Sequence, residues 1–187
     1  MDTPTIVIVI VVVVILGIIL GLVFSRRNKT EKLQNKFGTE YDHTVESLGD
    51  DKRAQKELVE RQKHVESLEI RPLSAVERER YLADWNSVQS KFVDEPGQAI
   101  IEADHLIIEV MELRNYPISD FDQRAADVSV KYPDLVANYR AAREIAIRNM
   151  EKKATTEDLR KALIHYRTLF DEFLKSEATI KEEEKSR

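Results

Sequence analysis

The first hydrophobic feature of the chain is an apolar run from Ile6 to Phe24, which contains no charged side chain. A helix rises about 1.5 Å per residue, so a run of this length extends over roughly 28 Å, about the thickness of a bilayer's hydrocarbon core. Val and Ile favour strands in water, but a single segment in lipid can pair its own backbone groups only as a helix. The run therefore predicts a transmembrane helix over residues 6–24, preceded by a short extracytoplasmic N-terminus, residues 1–5.

A cleaved signal peptide is the alternative interpretation of the same run. Signal peptides have a basic n-region, an apolar stretch of about 7–15 residues and a small-residue cleavage site. Here the residues before the run include Asp2 and no basic side chain, and no A-x-A pattern follows. We therefore expect a retained anchor.

Basic side chains cluster directly after the run. The cluster consists of Arg26, Arg27, Lys29, Lys32 and Lys36. The flank richer in Lys and Arg normally stays cytoplasmic, which predicts a single-pass protein of the bacterial inner (plasma) membrane with its N-terminus outside and its C-terminal domain in the cytoplasm. The alternative places the domain on the extracytoplasmic side. The cluster is also expected to contact anionic lipid head groups, at about 1 kcal/mol per charge.

Two glycines in the run, Gly17 and Gly21, have the G-x-x-x-G spacing. This spacing lets two membrane helices approach closely and favours a homodimer. Glycine is also common in membrane helices that do not pair, so glycines without a packing role are the alternative.

Residues 25–70 form a basic juxtamembrane segment followed by a helix-prone, charged stretch. Apolar residues recur there at spacings of three or four before and after Gly49, which favours a helical stalk broken at that glycine and able to form a coiled coil. A partly disordered spacer is the alternative.

Residues 71–174 contain the start and stop signals of about five helices joined by short connections. Ser74 and Glu77 form a capping box, Asp94 and Pro96 open a second helix, and Asn115 can take the left-handed conformation that ends it. Further helices are expected from Asp120, from Pro133 to about Lys152, and from Thr155 or Thr156. No segment alternates with the period of a strand, so the fold class is all-α, an antiparallel helical bundle. Residues 175–187 are expected to be a charged flexible tail.

Four stretches of this domain carry a resemblance: FVDEP, EADHLIIEVM, NYPISDFDQRAADVSV and TTEDLRKALIHYRTLFDEFL. Over about residues 70–174 they resemble an uncharacterised family of small bacterial membrane or secreted helical proteins. The resemblance implies a bacterial cell-envelope setting and no known activity.

Composition narrows the function classes. The residues after position 25 hold all 29 basic side chains and 33 of the 34 acidic ones, which argues against a nucleic-acid partner. Without cysteine, the chain has no thiolate nucleophile and no thiolate metal ligand. The few glycines form no phosphate loop. We expect no enzyme activity and no cofactor.

Asp104 interrupts the apolar pattern of the second predicted helix of the bundle. A buried carboxylate needs a partner, and the fourth and fifth helices offer Arg143 or Arg167 on or beside their inner faces. We therefore predict an Asp104–Arg143 (or Arg167) ion pair inside the bundle. The pair either sets the helix register or supplies the charge of a binding site.

Glu102 and His105 have the E-x-x-H spacing of di-iron bundles, and Glu40 and His43 repeat it. Glu102 and His105 lie on the polar stripe of their helix, so chance spacing is the favoured interpretation and metal binding the alternative. The aromatic residues Tyr81, Trp85 and Phe92 are expected in the core, or alternatively in an exposed patch for a partner.

These features predict a membrane-anchored, non-enzymatic interaction or scaffolding module of the bacterial cell envelope, which binds a protein partner. The alternative is a small-molecule or metal-binding sensor that uses the bundle interior near Asp104 and Arg143. An enzyme is a third possibility, supported by the one buried acid alone.

Overall fold

The computed structural model describes residue 28 and residues 30–175, and every regular element in that part of the chain is a helix. The predicted all-α class is therefore confirmed. The helices are α1, described over residues 30–37, α2 (Thr39–Leu48), α3 (Asp51–Ser67), α4 (Ala75–Lys91), α5 (Pro96–Leu113), α6 (Phe121–Lys131), α7 (Val136–Met150) and α8 (Thr156–Phe173).

Several predictions fall outside the described residues. They concern the transmembrane helix over residues 6–24, Gly17, Gly21, Arg26, Arg27, Lys29 and the tail beyond residue 175. Within the described part, no helix combines the length and the apolar character that crossing a bilayer requires. Lys32 and Lys36 are described, in α1, and both are exposed.

The chain divides into two compact units, Met1–Leu58 and Val59–Arg187, with the boundary inside α3. In the first unit, Gln55 links three helices, since its Nε2 lies 3.0 Å from Thr30 Oγ1, 3.2 Å from Tyr41 Oη and 2.7 Å from Asp51 Oδ2. Helix α2 ends at Gly49, where φ is 66°. This confirms the predicted break, because glycine adopts the left-handed conformation without a steric penalty.

Local side-chain signals set most helix ends of the second unit. Ser74 accepts a hydrogen bond from Glu77 N while the Glu77 carboxylate accepts one from Ser74 N, which is the predicted capping box of α4. Thr155 begins α8 with a second capping box, and Asp120 caps α6. Beyond α5, Asn115 has φ 67°, as predicted.

Two predicted helix starts are wrong. The residue before α5 is Glu95, whose side chain makes no capping hydrogen bond, so Asp94 is not the cap. Pro96 occupies the first turn and has no N–H to be capped, which reduces the need for a side-chain acceptor. Helix α7 begins at Val136 rather than Pro133, because a turn over residues 132–135 precedes it.

Helix α5 is central in the second unit, since it packs against α4, α7 and α8. Near the start of α5, Gly97 O accepts a hydrogen bond from Asn149 Nδ2 at the end of α7 (2.9 Å). In the middle of α5, Asp104 pairs with Arg143 in the middle of α7. The two helices therefore run antiparallel. Helices α7 and α8 pack together, and α6 packs on α7.

The core of this unit is formed by apolar side chains of α4 to α8. The predicted core aromatics Tyr81 and Trp85 are buried and Phe92 is half-buried. Trp85 stacks on Phe170 with ring centroids 4.7 Å apart, a separation typical of favourable aromatic pairs. This packing brings the polar groups of α5, α7 and α8 together at one level of the bundle.

Candidate functional site

Asp104 lies on the inner face of α5, and both of its carboxylate oxygens have partners. Tyr166 of α8 donates a hydrogen bond to Oδ1 at 2.9 Å, and Arg143 of α7 donates one to Oδ2 at 2.8 Å. Asp104 and Tyr166 are buried, whereas the Arg143 side chain is 29% exposed. The carboxylate therefore connects the three main helices of the unit through charge-assisted bonds.

The environment of Asp104 changes the acidity of its tyrosine neighbour. Burial and the Asp104 charge both raise the pKa of Tyr166 far above its usual range, because each disfavours a phenolate. Tyr166 therefore stays protonated and acts as a hydrogen-bond donor at any physiological pH. The carboxylate is held by one neutral donor and one cation.

A second arginine lies beside this group, at the start of α6. Arg124 Nε donates to Tyr139 Oη at 3.3 Å, and its Nη1 donates to the Ser119 carbonyl. The guanidinium carbons of Arg143 and Arg124 lie 5.7 and 5.9 Å from the centroid of the Phe121 ring, within the range of cation–π attraction. We call Arg124 and Arg143 the arginine pair, and both lie against the Phe121 ring.

The two guanidinium groups of the arginine pair carry more N–H donors than the hydrogen bonds they make to described residues. Each guanidinium carries several N–H donors and no acceptor. The hydrogen bond that the structure gives Arg143 goes to Asp104, and its Nε is buried without a hydrogen-bond partner among the described residues. Arg124 is only 7% exposed, and its two hydrogen bonds go to neutral oxygens. The site thus combines one carboxylate with two guanidinium groups.

The other predicted site residues lie elsewhere. Arg167 is exposed on α8 and lies 3.5 Å from Asp171 rather than near Asp104. Glu102 forms an ion pair with Lys91, and this bond lowers the pKa of Glu102. His105 is exposed on the same stripe of α5. Of the two predicted partners, the structure therefore brings Arg143 to Asp104.

No group of three or more potential metal ligands occurs among the residues that the structure describes. Glu102 already accepts hydrogen bonds from Lys91 and from Gln98 Nε2 at 3.2 Å. In the other E-x-x-H pair, Glu40 is buried and His43 is exposed. Neither pair is joined by further carboxylate or imidazole ligands in the described part of the chain.

Sequence reasoning missed Arg124, Phe121, Tyr139 and Tyr166 as members of the site. Tyr166 is buried in the last helix beside Leu169 and Phe170, and a buried tyrosine hydroxyl needs a partner, so a contact with Asp104 could have been inferred. For Arg124 the signal is in its neighbours, because Ala125, Ala126 and Val128 follow it on a short helix. A helix start rich in small apolar residues indicates that its side chains are buried.

A separate polar cluster surrounds Asp127 on α6. Gln123 Nε2 donates to Asp127 Oδ1 at 2.8 Å, and His64 Nε2 lies 3.6 Å from the same oxygen. Oδ2 is buried and has no hydrogen-bond partner among the described residues. Burial raises the pKa of Asp127, while Gln123 and the charges of His64 and Arg61 oppose the rise. The Asp127 carboxylate is therefore buried with hydrogen bonds from described residues to only one of its two oxygens.

Arg114, at the C-terminal end of α5, is buried like Arg124. Its Nη1 donates to the Phe173 carbonyl at 3.1 Å and to Tyr132 Oη at 3.2 Å, and its Nε donates to the Arg71 carbonyl at 3.2 Å. The carbonyl of Phe173 belongs to the last turn of α8, where the helix dipole favours a cation. Arg114 therefore links the C-terminal end of α5 to the end of α8 and to the segments at Arg71 and Tyr132, and it is distinct from the arginine pair.

Comparison of the chain with protein-family models, curated proteins and solved structures finds no match. The resemblance of residues 70–174 to small bacterial envelope proteins therefore stays a prediction, and function is argued from the residues themselves.

Proposed function

We propose that the protein is a membrane-anchored, non-enzymatic interaction or scaffolding module of the bacterial cell envelope. The observation that carries the proposal is the presence, in one chain, of the uncharged run over residues 6–24 and a separate helical unit with its own core. The run supplies the anchor as a single-pass transmembrane helix, followed by the stalk. The basic cluster after it supports a position of the helical unit at the cytoplasmic face of the inner membrane.

The surface of the second unit offers apolar contacts to a protein partner. Ile147 and Met150 on α7 are 42% and 58% exposed, and residues three apart are neighbours on a helix surface. Methionine adapts its shape to different partners because its side chain is unbranched and flexible. These two side chains support a role in binding rather than in stabilising the unit.

The membrane arm of the proposal is tested by fractionation and protease protection. The full chain is expected in the membrane fraction, resistant to alkaline extraction, and its second unit is expected to be cleaved only when the cytoplasmic face is accessible. Cleavage from the opposite face supports the alternative orientation. Recovery in the soluble fraction contradicts the anchor.

The interaction arm is tested by site-specific photo-crosslinking in intact cells. A photoreactive residue at position 150 is expected to give a discrete crosslinked product, which Ile147→Asp should abolish. Leu82→Asp is the matched control, because Leu82 is equally exposed at 42% but lies on α4. A product that survives both substitutions, or no product at all, contradicts a partner at this surface. A product twice the mass of the chain identifies a homodimer.

The second candidate function is a sensor that binds a small molecule in the bundle interior near Asp104 and Arg143. The observation that favours it is the buried Nε of Arg143, which has no hydrogen-bond partner in the described part of the chain. A ligand that binds there should raise the unfolding midpoint of the chain. If a panel of small metabolites leaves the midpoint unchanged, the sensor function is wrong.

A further inference from the structure

We propose that the arginine pair binds an oxyanion, the carboxylate or phosphate group of a small molecule. The inference rests on the second candidate function and specifies its ligand class. It does not depend on the membrane anchor or on a protein partner.

The charge balance of the site favours an anion. Asp104 is the acid that pairs with Arg143, and the hydrogen-bond partners of Arg124 are a tyrosine hydroxyl and a backbone carbonyl. A buried guanidinium without a carboxylate partner is costly, because the protein replaces its hydration shell incompletely. The nearby acid Asp120 caps α6 through Gln123 N at 3.0 Å and is exposed, so water screens its charge. A bound anion would offset the remaining charge.

The donor geometry selects an oxyanion over other anions. Guanidinium groups are planar and present parallel N–H donors that match the oxygens of carboxylates and phosphates. The Nε of Arg143, which has no hydrogen-bond partner among the described residues, is one such donor. Phe121 is the first residue of α6 and Arg124 lies in its first turn, so the positive end of the helix dipole adds to the same field. A cationic ligand would meet positive charge, and both oxygens of Asp104 already accept hydrogen bonds.

The burial of the pair indicates the direction of entry. The Arg143 side chain is partly exposed and Phe121 is half-buried, whereas Arg124 is buried. An oxyanion that approaches from solvent therefore meets Arg143 before Arg124. Asp104 closes the inner end, since both of its oxygens already accept hydrogen bonds.

The test is calorimetric titration of the purified full chain, kept in a mild detergent, with inorganic phosphate and, separately, with acetate. Sodium chloride at equal ionic strength controls for screening. Saturable binding of one probe is expected and identifies which oxyanion the site prefers. Arg124→Gln should weaken that binding by about tenfold or more, since one charge-assisted contact is lost. Arg167→Gln removes an exposed arginine that lies outside the site and should leave the affinity unchanged.

A second variant keeps the inference falsifiable if Arg124→Gln fails to fold. Arg143→Lys retains a cation opposite Asp104 but removes the planar donor pair, so it should weaken binding several-fold while the chain stays folded. Absence of saturable binding with both probes overturns the oxyanion inference and leaves the sensor function to the metabolite panel. Saturable binding that neither substitution weakens also overturns the inference, because the ligand then binds elsewhere.

Discussion

Removal of the arginine opposite Asp104 should destabilise the second unit far more than removal of an exposed arginine. Arg143→Met leaves the buried Asp104 carboxylate with the Tyr166 hydroxyl as its remaining donor. Breaking a buried ion pair costs about 3–5 kcal/mol. Because the Arg143 side chain is 29% exposed, water screens the pair, and we expect a smaller loss of about 2–3 kcal/mol.

The double variant Asp104→Asn/Arg143→Met tests whether the loss arises from the stranded charge. Asparagine keeps an oxygen for Tyr166 and has no charge, so the double variant should lose only about 1 kcal/mol. The coupling energy of the cycle is then about 1–2 kcal/mol plus the loss that Asp104→Asn causes on its own. If the double variant loses as much as the two single variants together, the charge argument is wrong.

Fluorescence of Trp85 during urea unfolding gives the measurement, since it is the one tryptophan of the chain and is buried against Phe170. The matched control is Arg167→Met. Arg167 and Asp171 are both 55% exposed, so this change should alter the free energy of unfolding by no more than about 0.5 kcal/mol. Equal effects of the two Arg→Met substitutions would refute the reasoning.

Three further predictions concern local features of the second unit. Burial raises the pKa of Asp127, so the folded state binds the proton of this carboxyl more tightly than the unfolded state and loses stability as pH rises from the unfolded pKa, about 4, to the folded one. Asp127→Asn should therefore raise the thermal midpoint at pH 7 but not at pH 3, and a lower midpoint at pH 7 contradicts this. Asn115 has φ 67° and donates to Glu69 O at 2.8 Å. Asn115→Ala should therefore lower the free energy of urea unfolding by about 2 kcal/mol and Asn115→Gly by about 1, because glycine loses the hydrogen bond but adopts a positive φ without strain. Equal losses contradict a contribution from the positive φ. A Cβ at Gly97 would lie 2.9 Å from Asn149 Oδ1, so Gly97→Ala should displace the Asn149 side chain. In the Gly97→Ala chain, Asn149→Ala should then lower the free energy of urea unfolding by about 1 kcal/mol less than it does in the native chain. An equal loss in both chains contradicts the displacement.

Most helix ends were predictable from the sequence because the signals that set them are local. The capping box of Ser74 and Glu77 joins residues three apart, and Asn115 can take a left-handed conformation whatever surrounds it. Asp94 misled the prediction because two adjacent acids precede Pro96, and Asp94 belongs to the turn that follows α4, where its N–H donates to the Lys91 carbonyl.

The identity of the polar site was predictable only in part. A helical wheel places Asp104 on the inner face of α5, and the cost of an unpaired buried carboxylate requires a cation near it. The helical wheel does not distinguish Arg143 from Arg167 as that cation, since both lie on or beside the inner faces of their helices. The choice depends on how far each helix is rotated and shifted against α5.

The sequence by itself determined the helical class, most of the helix ends and the need of Asp104 for a partner, because periodicity, capping and desolvation act within a few residues or on a single side chain. Only the tertiary structure decided that Arg143 is that partner, that Tyr166 shares the carboxylate, and that Arg124 and Arg143 both contact the ring of Phe121. These contacts join α5, α6, α7 and α8, and the packing of whole helices sets the distances between such side chains.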